Sequence, residues 1–248
     1  LQQQNMKTIW PIYSLLLTAI NAQSLCDKAS FVDRAGWGGR EPTSITNLTR
    51  KPFSFYVIHH SYDPPNCYDD TSCIERVKQI QDLHQTTFGW ADVGYHFLVG
   101  ENGKVYEGRG WNRQAAHSPG WNDDAFGICI MGDFRTAPPN EKALNAVRSW
   151  IDCGIKHGHV KEDYYIITHR QSQRPGYTEC PGNGTMDVVN KWPRYCSFQN
   201  PGTPLDANET LLSLANNSCG KEVPSPSSAS TYFITPVILF FLLLIYSL

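Results

Sequence analysis

The sequence predicts an α/β fold: a single domain with a central mixed β-sheet flanked by helices. Three observations predict it. Short runs rich in aromatic and β-branched residues alternate with segments of helical periodicity, the alternation of a layered α/β domain. One pair of runs brackets Asn102-Gly103, a hairpin signal, so an antiparallel pair joins strands whose helical crossovers favour parallel pairing. The stretch that carries these signals, 28–198, is long enough to bury one ample core.

In chain order, "FSFYVIHHS" (53–61) is a strand that ends in polar residues and leads into a loop. "TSCIERVKQIQDLHQTTF" sets Ile74, Val77, Ile80 and Leu83 on one stripe, a helix. "YHFLVGENGKVYEGR" is two strands around the turn, and "FGICIMG" is a buried strand. "NEKALNAVRSWIDCGIKHG" follows Pro138-Pro139; Asn140 caps it, Leu144, Val147 and Ile151 share a face, and Gly158 stops it. "DYYIITHR" is another strand, and a short last helix is expected over Met186–Trp192. Sites in such sheets lie beyond the carboxyl ends of the strands. Both "IHHS" and "ITHR" end strands there.

The two ends read as addressing signals. Residues 1–23 combine Lys7, an apolar stretch from Ile9 to Ile20 and a small residue at Ala22, with Ser24 next, the order of a leader and secretory signal peptide. Residues 232–248 are apolar to the last position and follow a polar linker, 199–231, that holds the small residues Ser218, Cys219 and Gly220. Small site, polar spacer and apolar tail form the pattern of a glycolipid (GPI) anchor signal, with a single membrane span as the alternative. Either ending makes the domain extracellular and attached to the cell surface. Asn47, Asn183, Asn208 and Asn216 head glycan acceptor sequences. A net charge of −2 over 248 residues gives no sign of a nucleic-acid partner.

Eight cysteines in an exported chain point first to disulfides. Cys67 and Cys73 are spaced to close a small loop, Cys26 and Cys153 are candidates for a long-range staple, and Cys196 and Cys219 for a further pair. Cys129, within "FGICIMG", reads as a buried thiol acting as a small apolar side chain. Cys180, in "THRQSQRPGYTECPG" with His169, is open to three readings: disulfide partner, nucleophile or metal ligand. Two imidazoles and a thiolate with an open fourth position suit a catalytic zinc ion, and His59 or His60, His169 and Cys180 make such a set. Adjacent strand residues point to opposite faces, so one of His59 and His60 at most can face a metal. A cysteine hydrolase pairing Cys180 with His169 lacks an orienting Asn or Asp.

"YVIHHS", "FGWADVGYHFLVGENGKVYEGRGWN", "AAHSPGWND", "FGICIMGDF" and "HR…TECPG" follow one another between about Phe31 and Trp192. In these blocks the chain resembles the peptidoglycan recognition proteins, which share the fold of the phage-type N-acetylmuramoyl-L-alanine amidases. The resemblance implies Zn2+ held by His59, His169 and Cys180. It implies hydrolysis of the bond between N-acetylmuramic acid and L-alanine in bacterial peptidoglycan, in innate immunity, with Tyr95 assisting and Thr178 adding a hydrogen bond. It places His84, Tyr95, Trp111 and His117 along a groove for the muramyl peptide. Gly89-Trp90, together with Arg109, goes with diaminopimelate at the third stem residue, whose added carboxylate a guanidinium can clamp bidentately. The pairs Cys67–Cys73 and Cys26–Cys153 also resemble family disulfides. Members that have lost the cysteine only bind; this chain keeps Cys180, and the tethered C-terminus together with the long interval between His169 and Cys180 leaves a non-catalytic surface receptor as the alternative. One departure stands out: His169 and Cys180 are eleven positions apart, a few more than in family amidases. Pro175-Gly176 is expected to bulge the extra residues outward and leave both ligands in place.

Overall fold

The computed structural model describes residues 30–197 and Cys219. The expected leader and signal peptide, Cys26, the apolar tail and all of the linker except Cys219 lie outside the described residues. Among the described residues no helix is long and apolar enough to cross a membrane. They contain six strands: β1 Ser30–Val32, β2 Phe53–His60, β3 Phe97–Val99, β4 Lys104–Glu107, β5 Ala125–Ile130 and β6 Val160–Thr168. These form one mixed sheet in the order β1-β4-β3-β5-β2-β6, in which β3 and β4 pair antiparallel and the remaining neighbours pair parallel. The helices are α1 Arg34–Trp37, α2 Asp70–Asp82, α3 Glu141–Lys156, α4 His169–Ser172 and α5 Asn183–Val189.

Strand alternation sorts the side chains of β2 between two environments. Tyr56 and Ile58 turn towards α3, where they pack with Phe126, Ile128, Leu144, Val147 and Ile151. Each such aliphatic side chain, once fully buried, contributes about 1.5–3 kcal/mol. Phe55 and Val57 face the other way, into a smaller cluster with Trp121 and Ile167. On that same face α2 lays Val77 and Ile80 over Leu98, Cys129 and Met131. Asn140 caps α3 by accepting from the Ala143 N–H at 3.0 Å, a contact worth about 1 kcal/mol. Asp69 caps α2 in a reciprocal box with Ser72. The last turn of that helical run, Leu83–Thr87, opens into a π-helical turn, a widening common at functional sites.

Where expectation and structure differ, the reason is local. β1, α1 and α4 are three or four residues long, too short for any periodicity to register. The last helix begins at Asn183 rather than Met186. Gly182 and Gly184, which read as loop residues, instead bring it against the 134–137 backbone: a Cβ on Gly184 would lie 2.1 Å from the Ala137 carbonyl oxygen. Cys67 pairs with Cys73 and Cys196 with Cys219. Cys153 is disulfide-bonded, while Cys129 and Cys180 are free thiols.

Candidate metal centre and groove

β2 and β6 deliver their last residues to one end of the sheet, His59 from the first and His169 just after the second. A loop then returns Cys180 between them. One ligand atom from each of His59, His169 and Cys180 lies within 4.8 Å of the others. Cys180 Sγ is 3.7 Å from His59 Nδ1 and accepts the His60 N–H at 3.3 Å. The His60 ring, one residue on, goes to the opposite face, where its Nδ1 accepts from Phe134 N–H. Alternation thus selects His59 and excludes its neighbour.

The insertion between His169 and Cys180 leaves at a neck. Arg170 N–H donates to the Cys180 carbonyl at 2.9 Å, tying the two ligand segments together. Gln173 Nε2 donates to Ser118 Oγ and to the Pro119 carbonyl, and Trp121 Nε1 donates to the Ser172 carbonyl at 3.0 Å. Beyond this anchor Arg174–Tyr177 are exposed. His169 itself is held at the start of α4, where Gln171 Oε1 accepts from Thr168 N–H and Oγ1 and Gln171 Nε2 donates to the Cys196 carbonyl. The extra residues bulge and the two side chains remain in reach of one another.

The electrostatics suit a bound cation. Burial drives His59 well below the ordinary imidazole range, with His169, His117 and other rings adding to it, and pushes His169 down to about 4. Both rings are neutral at pH 7 and keep a lone pair to give. Burial also pushes the Cys180 thiol up to about 12, so without a cation it stays protonated; a metal would have to displace that proton. His169 Nε2 is buried with no hydrogen-bond partner among the described residues, the condition of a ligand atom that awaits an ion. Two imidazoles and one thiol fit zinc in charge, softness and number.

An open cavity of about 400 Å³ beside these residues is lined by His60, Tyr95, Arg135, His169, Thr178 and Cys180, among others. It shares Tyr95 and His169 with a second cavity of about 310 Å³ that runs past His84, Phe88, Trp90 and His117. Together they make the groove. The Tyr95 ring lies 5.2 Å from that of His59, and burial with the nearby thiols Cys129 and Cys180 raises its phenol well above the ordinary value. Thr178 Oγ1 accepts the Cys180 N–H at 3.1 Å, so it caps the ligand turn. His84 projects from the π-helical turn, accepts from Gly94 N–H at 2.9 Å and packs at a tilt against Trp90, ring centroids 4.7 Å apart. Gly89, at φ +68°, ends this helical run and lets Trp90 fold back over His84. His117 Nδ1 lies 3.0 Å from His59 Nε2, and its Nε2 is 3.2 Å from the Ala125 carbonyl.

Trp111 departs from its expected place in the groove. It packs under α3, on the far face of the sheet, with ring centroids 4.3 Å from Phe97, 4.9 Å from Phe126 and 5.5 Å from Trp150. An apolar indole finds more to bury there than a polar cleft offers. Arg109 lines neither groove cavity. Its guanidinium donates to the main-chain carbonyls of Val93, Gln114 and Asp92, at 2.7, 2.8 and 3.4 Å. Sequence reasoning also missed the buried Arg34–Asp92 ion pair, which with the bond from Arg34 Nη2 to the Gly108 carbonyl steadies the segment leading to Tyr95. Its sequence signal was one-sided: Asp92 is a lone charge among apolar and glycine neighbours, whereas Arg34 has Asp33 beside it and nothing local points to a partner 58 positions away.

Residues 49–183 match the N-acetylmuramoyl-L-alanine amidase family. The chain is 37% identical over 167 residues to peptidoglycan-recognition protein LB of Drosophila melanogaster, covering 67% of this chain and 70% of that one. It is 39% identical over 170 residues to the N-acetylmuramoyl-L-alanine amidase of Homo sapiens, covering 68% of this chain but 29% of the human protein. The matched part thus spans under a third of that relative's length. Among solved structures, peptidoglycan recognition protein LE in complex with tracheal cytotoxin, described as monomeric diaminopimelic acid-type peptidoglycan, superposes with a TM-score of 0.64 at 31% identity. It covers 67% of this chain and 96% of that one.

Proposed function

The chain belongs to the family of peptidoglycan recognition proteins and N-acetylmuramoyl-L-alanine amidases, and from that premise we propose that it is a zinc-dependent amidase that cleaves bacterial peptidoglycan between N-acetylmuramic acid and L-alanine. The observation that carries this reading is the convergence of His59, His169 and a free Cys180 in the wall of a groove. A receptor that only binds has no need of a buried thiol between two neutral imidazoles.

His59, His169 and Cys180 would hold the metal, which when bound would polarise a carbonyl and acidify water. The surrounding residues orient the substrate amide and receive the charge that develops on it. Tyr95 carries its phenolic proton at neutral pH, as a tyrosine at its ordinary value already does and as burial reinforces, and donates it in a hydrogen bond to the developing oxyanion. The Thr178 hydroxyl accepts from Cys180 N–H, which leaves its own O–H to donate into the cavity. One such donor is worth about 3 kcal/mol of transition-state stabilisation. His84 and Trp90 line the far stretch of the groove for the stem peptide. The preference is for diaminopimelate-type peptidoglycan: Gly89-Trp90 shapes the wall, and Arg109 has two of its five N–H donors left after its three carbonyl bonds.

The site of action is outside the cell, at a surface to which the C-terminal tail attaches the domain. The Cys67–Cys73 and Cys196–Cys219 bridges support an oxidising compartment. Incubation of the zinc-loaded protein with a muramyl peptide tests the proposal: free stem peptide is the expected product, and a chelator abolishes it. Binding without release demotes the molecule to a receptor.

A further inference from the structure

We infer that His117 is a positioning residue for the metal centre: it fixes the tautomer of His59, so that a lone pair of Nδ1 rather than a proton faces Cys180 and His169. The purpose of this device rests on the zinc reading above; its geometry does not.

Three groups form a chain: the Ala125 carbonyl, His117 and His59. The Ala125 carbonyl oxygen only accepts, and it lies 3.2 Å from His117 Nε2. That nitrogen therefore carries the ring proton. A neutral imidazole has one N–H, so His117 Nδ1 is an acceptor. Its partner, 3.0 Å away, is His59 Nε2, which must donate. His59 then has no proton on Nδ1, the nitrogen that lies 3.7 Å from Cys180 Sγ. A main-chain carbonyl on β5 thereby decides, two rings away, which nitrogen of His59 is free to bind a metal. Ligating histidines are commonly held by such outer partners, which fix the ring and raise its basicity.

The fold keeps the His117 ring in this slot. A Cβ on Gly127 would come within 2.5 Å of His117 Cγ, so the glycine leaves the space the ring fills. Asn122 Oδ1 accepts from both His117 N–H and Ser118 N–H, at 2.8 and 2.9 Å, which pins the backbone that presents it. Ala125 and Gly127 are buried at the start of β5, and His117 is 5% exposed. Water has little access to offer the ring another partner.

Long-range 1H–15N correlation spectra of the metal-free protein, with 15N-labelled histidine, read the tautomers directly. His59 and His117 are both expected to carry the proton on Nε2; a His59 protonated on Nδ1 overturns the inference. Competition with a chromophoric zinc chelator gives a second readout. His117→Phe fills the slot with no acceptor and should weaken zinc binding by about 10–100-fold. His117→Gln can accept from His59 and donate to Ala125, and should recover most of that loss. Equal zinc affinity in His117→Phe and the wild type overturns the inference, as does a Gln variant no better than Phe. The wild-type spectra need no variant, so a His117→Phe chain that fails to fold leaves the test standing. A wild-type protein that takes up no zinc overturns the amidase reading instead, and the His59 tautomer still decides this one.

Discussion

The two faces of the sheet are built on different terms, although the same strands supply both. Under α3, Phe97, Trp111, Phe126 and Trp150 pack ring against ring, and each side chain has several interchangeable neighbours. On the other face, at the ends of β2 and β6, His59, His117 and Cys180 are tied to one another and to main-chain groups by specific directional contacts, and His169 Nε2 stands beside them without a hydrogen-bond partner among the described residues. The first arrangement is non-directional and redundant, so its loss registers as stability. The second is directional, so its loss registers as chemistry. Ile58, His59 and His60 show how narrow the division is: one residue along β2 exchanges one environment for the other.

The largest effect is expected from Cys180→Ser. It should remove zinc and lower stem-peptide release by roughly 1,000-fold or more, while muramyl-peptide binding and the unfolding midpoint, compared between the metal-free proteins, stay near wild type. Metal content, product release and thermal melts check the three arms. Retained hydrolysis would mean that the directional face is not where the chemistry lies. Trp111→Ala should do the converse. It should cost about 3 kcal/mol of stability, the lower end for a truncated core tryptophan because the ring is only partly buried. Peptide affinity per folded molecule should be unchanged, measured by urea unfolding beside calorimetric titration. A selective loss of affinity would return Trp111 to the groove.

Acid sharpens the contrast. His84 is pushed down to about 4, first by burial and then by the Arg109 charge, against about 6.5 in an unfolded chain. The unfolded state therefore takes up the proton first as pH falls. This contribution to stability is complete above about pH 6.5 and is lost towards pH 4, by about 2–3 kcal/mol. Denaturant titrations of the metal-free protein at both pH values should show that loss reduced in His84→Gln; an equal loss in the variant would remove the assignment. The smallest effect concerns selectivity. Arg109→Ala should reduce the preference for diaminopimelate-type over lysine-type fragments by about tenfold, read as a ratio of two affinities. Equal losses for both fragments would confine Arg109 to bracing the 92–94 loop.

Much of the fold was legible because its signals are local. β2, α2, the Asn102-Gly103 hairpin, β5 and α3 follow from periodicity, caps and turn residues within a dozen or so positions of one another. α1 and α4 are four-residue helices that packing imposes on segments with no pattern of their own. In the site, His59, His169 and Cys180 were legible as a set because donor chemistry and strand ends suggested it. Trp111 misled because an aromatic residue in a matching block carries no mark of which face its loop will serve. The bond between His117 and His59 left no trace in the sequence at all.

By itself the sequence determined the α/β class, the order of the principal elements, the family and the candidate donor set. Each of these depends on residue type and short spacing, which the chain carries wherever it goes. Only the tertiary structure decided that an eleven-position interval can close at the Arg170–Cys180 neck, that Trp111 belongs beneath α3, and that a carbonyl on β5 governs a histidine on β2. The partners in the site are 58 and 121 positions apart, and which faces meet at such distances is set by how strands pair and loops cross. No local pattern encodes that, because the energy that selects it comes from burying the whole core at once.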